Sequence, residues 1–112
     1  MHTRQPTPEQ AEICNKYHSR IVPYLESEMI AIALNSIGKQ PIHGTRIHPE
    51  APGWVTWFFH CGDHSSADDF YQPVHARHAK ALLPEIEKYL CLDYGYQFIT
   101  DADGYEDVWK EG

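Results

Sequence analysis

The segment Trp54–His60 constrains the fold more than any other. Both of its alternating sets, Trp54/Thr56/Phe58 and Val55/Trp57/Phe59, are largely apolar. That pattern suits an interior strand covered at least partly on both faces. A partner pair of strands is legible near the end of the chain, about Tyr96 to Thr100 and Tyr105 to Trp109. They are separated by Asp101-Ala102-Asp103-Gly104, whose Asp-Gly pair favours a tight antiparallel hairpin.

Helices are expected around these strands. Thr7-Pro8-Glu9-Gln10 reads as a helix start: Thr7 caps, Pro8 sits where a missing N–H costs nothing, and Gln10 completes a capping box. Cys14, Tyr17, Ile21 and Leu25 then recur at helical spacing, and Pro23 should kink or end the helix near Val22. A second helix is predicted over 24–37, with Leu25, Met29, Ile32, Ala33 and Ile37 buried and Gly38 as its C-terminal cap. Residues 39–53 hold three prolines and two glycines and read as a connection, with at most a short edge strand around Thr45 to His48. Residues 61–69 read as a loop, anchored by Phe70, Tyr71 and Pro73. A third helix is predicted from Val74 or His75, kinked or split at Leu83 by Pro84. The order α-α-β-α-β-β predicts an α+β fold: two N-terminal helices, then β-α-β-β, with a small antiparallel sheet of three or four strands packed against helices. At 112 residues this is expected to be a single domain, without repeats or an internal linker.

Charge narrows the choice of partner. Sixteen acids face nine bases, for a formal net charge of −7, which disfavours general nucleic-acid binding. Residues 1–49 carry four acids and five bases, whereas residues 50–112 carry twelve acids and four bases, so the excess lies in the second half. Three cysteines at irregular spacing make a poor disulfide framework, and no apolar run approaches the ~20 residues of a membrane helix. A cytoplasmic protein with reduced thiols and no membrane or nucleic-acid partner is expected.

The most chemically suggestive cluster is His60-Cys61-Gly62-Asp63-His64 with His75 and His78 downstream. Their Cys, His and Asp side chains are competent zinc ligands, yet His60 and Cys61 should point to opposite sides of a strand, and the spacing fits no standard metal pattern. Ordinary hydrogen-bonded histidines closing a loop account for them better. A Cys61–His64 nucleophile would lack an orienting third group and a donor nest for an oxyanion. Asp101 to Asp107 only faintly resembles a calcium loop, since it lies between strands. No phosphate-binding loop or dinucleotide fingerprint occurs. No catalytic residue, metal or cofactor is therefore expected.

Gly53-Trp54 leading into Trp57, Cys61-Gly62-Asp63, Asp69-Phe70-Tyr71-Gln72-Pro73-Val74-His75, His78, Pro84, Tyr89-Leu90, Gly95-Tyr96-Gln97-Phe98 and Tyr105-Glu106-Asp107-Val108-Trp109 occur in that order. Together they resemble the thirty-third of the immunity families associated with polymorphic toxins, and the uncharacterised domains grouped with it. Cys61 departs from that pattern, where a small hydroxyl residue is expected. The resemblance implies a bacterial protein made beside a secreted antibacterial toxin, which binds and neutralises that toxin in the cytoplasm. Delivery of such toxins by a contact-dependent apparatus such as type VI secretion is common.

Charge and expected exposure select the candidate partner-binding residues. They are Asp63, Asp68 and Asp69 in the first loop, Asp101, Asp103, Tyr105, Glu106 and Asp107 in the hairpin, and Tyr71 and Tyr94 as aromatic anchors. If the toxin has a basic active cleft, these carboxylates could occupy it in place of substrate. The alternatives are a general protein-interaction domain without a toxin and, more distantly, a small zinc-binding protein or metal-dependent enzyme.

Overall fold

The computed structural model describes residues 5–111. Its strands are β1 (Met29–Ile32), β2 (Ile42–Arg46), β3 (Trp57–Cys61), β4 (Gln72–His75), β5 (Tyr96–Thr100) and β6 (Glu106–Lys110). They form one six-stranded sheet of order β4-β1-β3-β2-β5-β6, in which β1 and β3 are parallel and every other pair antiparallel. The helices are α1 (Pro8–Lys16) and α2 (Ala79–Leu82), with 3-10 turns at Leu34–Ser36, Ala76–His78 and Pro84–Tyr89. A mixed six-stranded sheet with one N-terminal helix thus replaces the predicted pair of N-terminal helices and small antiparallel sheet of three or four strands.

The N-terminal start forms as predicted. The Gln10 amide donates to Thr7 Oγ1 at 3.2 Å, and the Thr7 amide donates to Gln10 Oε1 at 2.9 Å. The helix ends well before Pro23. His18 adopts φ 60°, the Ser19 amide reaches back to the Cys14 carbonyl and the His18 amide to that of Asn15. This is a Schellman ending in which histidine takes the place glycine usually fills.

The predicted second helix is the largest correction. Ile30 and Ile32 are fully buried beneath the helices and Ala31 is buried on the opposite face, so β1 is an interior strand. A short apolar run offers helical and strand spacings at once, and the β-branched residues and sheet partners decide. Gly38 does take a positive φ of 105°, but after a single 3-10 turn.

The supposed connection over 39–53 contains β2, a central strand pairing with both β3 and β5. Gly44 belongs there because a Cβ would lie 2.2 Å from the Phe98 ring, which covers this position. Tyr89 in turn stacks on Phe98 with centroids 4.0 Å apart. Arg46 is wholly buried: its Nη1 donates to the carbonyls of Val22 and Leu92, each at 2.7 Å, and its guanidinium lies over the Tyr94 ring. The predicted third helix is preceded by β4, where Pro73 is tolerated because the strand lies at the sheet edge. Its helical segment breaks at Leu83, the residue before Pro84, as the proline requires.

The core lies between the helices and the sheet face of Trp57, Phe59, Ile30, Ile32 and Phe98. Trp57 Nε1 donates to the Leu90 carbonyl at 3.2 Å, joining sheet to helices, and Cys14 Sγ donates to the Cys91 carbonyl at 3.3 Å, joining α1 to the segment after the last 3-10 turn. All three cysteines are buried, and none of them forms a disulfide. No helix among the described residues is long and apolar enough to cross a membrane.

Candidate functional site

Strand direction determines which loops meet. β2 runs antiparallel to both β3 and β5, and Ile42 pairs with Cys61 on one side and Thr100 on the other. β3 and β5 therefore end together, about 10 Å apart given two interstrand spacings. The loop that follows β3 and the turn that follows β5 leave the sheet from this one end. Asp63, Asp68, Asp69, Asp103 and Tyr105 are all exposed there, Tyr105 with 53% of its surface.

Asp101 has a different task. Its Oδ1 accepts from the amides of Asp103 at 2.9 Å and Tyr105 at 3.0 Å, which shapes the turn and presents their side chains outward. On the helix side of this end, Glu9, Glu85 and Glu87 line a cleft of about 290 Å³ together with Asp101 and Lys88. Sequence reasoning missed these three glutamates. Their signal was present, because each lies in the first turn of a helical segment, where acids complement the helix dipole. Lys39 also stands at this end, beside Gly62.

Glu106 faces inward, away from this cluster. Its Oε2 accepts from Tyr17 Oη at 2.7 Å and Lys16 Nζ at 3.2 Å, while its Oε1 accepts from Tyr89 Oη at 2.5 Å and pairs with Lys88 at 3.6 Å. Burial alone would raise its pKa, but the two hydroxyls and the lysines prevail and hold it at about 2. Tyr94 lies at the opposite end of the sheet, before β5, with its ring 4.7 Å from the Arg46 guanidinium and 4.5 Å from the His48 ring.

The sheet face turned away from the core carries the rest. His60, His43, Ile99 and Asp107 are successive cross-strand neighbours, and Asp107 is exposed. His43 and His60 stack at 4.5 Å with planes 8° apart, and Tyr71 Oη lies 3.2 Å from His60 Nδ1. Burial, helped by His43 and His64, lowers the His60 pKa to about 4. His64 lies 5.5 Å from His60, and His75 lies 6.4 Å from His78. Among the described residues no three His, Cys, Asp or Glu are grouped to hold a metal. Cys61 points into the core, opposite to His60, and burial raises its pKa.

The arrangement is that of a small protein whose mixed, mainly antiparallel sheet has an acidic end and an open face. The family model of the Imm33-like domain matches residues 9–111, and the chain belongs to this immunity family. Membership brings an immunity-type, protein-binding role with a toxin or effector as partner. No curated protein and no solved structure matches the chain.

Proposed function

We propose that this protein binds a cognate secreted antibacterial toxin in the cytoplasm and neutralises it by occupancy, without catalysing a reaction. The acidic end of the sheet faces the toxin. The observation that carries the reading is the convergence, within a member of the Imm33-like family, of the 63–69 and 101–105 acids on one end of one sheet. Carboxylates on loops that leave the same end of the sheet make a field that speeds encounter with a basic surface and disfavours acidic partners. A toxin with a basic cleft, such as a nuclease, would find that cleft occupied in place of its substrate. Toxin delivery by a contact-dependent apparatus such as type VI secretion fits the same reading.

Co-expression with the product of the adjacent gene in a susceptible host tests it. Growth rescue together with a stable co-purifying complex is the expected result. Neither rescue nor a complex at micromolar concentration would overturn the reading.

A further inference from the structure

The sheet face opposite the helices holds a groove separate from the acidic end. Met29 of β1 and Phe58 of β3 form its floor, Ile47 and Val55 its sides, and Trp54 and Glu50 its lip, around a volume of about 440 Å³. Trp54 keeps 55% of its surface exposed although its amide is fixed to the Ala51 carbonyl at 3.1 Å. An indole held in water over an apolar floor is the composition of a binding hot spot, where tryptophan is enriched.

The charges around the groove select its occupant. No lysine or arginine stands on this face in any of the six strands, since Arg46 and Lys110 alternate to the other side. Burial keeps the stacked His43 and His60 below their ordinary pKa, so the centre of the face is uncharged at neutral pH. The charged side chain lining the groove is Glu50. A second copy of this chain, itself carrying a formal charge of −7, would be repelled.

We propose that this groove receives an apolar side chain of the toxin, next to a lysine or arginine that pairs with Glu50, and that Trp54 anchors the complex. This rests on the immunity reading and adds the chemistry of the surface recognised. The pairing supplies orientation as well as encounter rate, because a single carboxylate at the lip of an apolar groove fits one register of a basic, apolar patch.

Titration calorimetry of the wild type, Trp54→Ala and Glu50→Lys against the purified product of the adjacent gene tests it, with light scattering of each protein alone. Trp54→Ala is expected to weaken binding about 30-fold with an unchanged thermal midpoint, since the indole is exposed. Glu50→Lys is expected to weaken it about 10-fold, chiefly through slower association. Tryptophan emission of the wild type should shift to the blue on binding, and Trp54→Phe should lose most of that shift. Equal affinity of wild type and Trp54→Ala would overturn the groove assignment while leaving immunity intact. A wild-type dimer dissolved by Trp54→Ala would assign the groove to self-association instead. No binding by the wild type would remove the immunity reading, and this inference with it.

Discussion

Glu106 illustrates how one side chain can be charged, near the surface and yet structural. Its carboxylate gathers Tyr17 and Lys16 at the end of α1 with Tyr89 and Lys88 of the 3-10 segment, fastening both to β6. Glu106→Gln is expected to cost about 1.5–3 kcal/mol, the range for hydrogen bonds to a charged group, read as a lower urea midpoint. The pH dependence follows from the sign of the shift. With a folded pKa of about 2 against an ordinary 4.5, the Glu106 contribution is complete above pH 4.5 and lost as pH falls toward 2. His60 acts in a higher window: its folded pKa of about 4 lies below the ordinary 6.5, so stability declines as pH falls from 6.5 to 4. His60→Gln should flatten the upper slope and Glu106→Gln the lower, in unfolding midpoints measured across pH 2–8. If neither slope changes, the protonation sites lie elsewhere. Gly44→Ala places a methyl 2.2 Å from the Phe98 ring and is expected to lower stability by about 1–3 kcal/mol, the overpacking cost, with Tyr89 displaced from its stack.

At the scale of elements, the proposed partner surface lies on the turn of the final hairpin and the loop after β3. Asp63→Lys with Asp103→Lys should slow toxin association about tenfold at low salt, with little change once salt screens the field. Asp101→Ala should act differently, because Asp101 holds the turn amides: it should increase hydrogen exchange over 101–105. Identical association rates for the double lysine variant and the wild type would move the interface elsewhere. The start of α1, the final hairpin and β3 were legible in the sequence for local reasons. A capping box, an Asp-Gly turn and an alternating strand each need only a few adjacent residues. β1 and β2 were not, because their short segments carry mixed signals. Met29–Ile32 allows helical spacing as readily as strand spacing, and Gly44 reads as loop punctuation until Phe98 is seen lying over it.

At the scale of the whole molecule, the missing information was register. The acids of 63–69 and 101–103 are visible in the sequence, but their shared end depends on β2 pairing with both β3 and β5. Glu106 counted as a surface acid for the same reason: its hydroxyl partners are 89 and 17 residues away in sequence. Family membership, by contrast, was legible in ordered blocks across residues 53–109, and the family match over 9–111 agrees with it. The fold thereby turns a diffuse acidity into two surfaces, an acidic end and an aromatic groove with an acidic lip. The most direct measurement is growth of a susceptible host producing the adjacent gene product together with either wild type or the Asp63→Lys, Asp68→Lys, Asp103→Lys variant. Wild type should restore growth, and the variant, with an unchanged thermal midpoint, should protect far less. Wild-type cells dying as fast as unprotected ones would contradict the account.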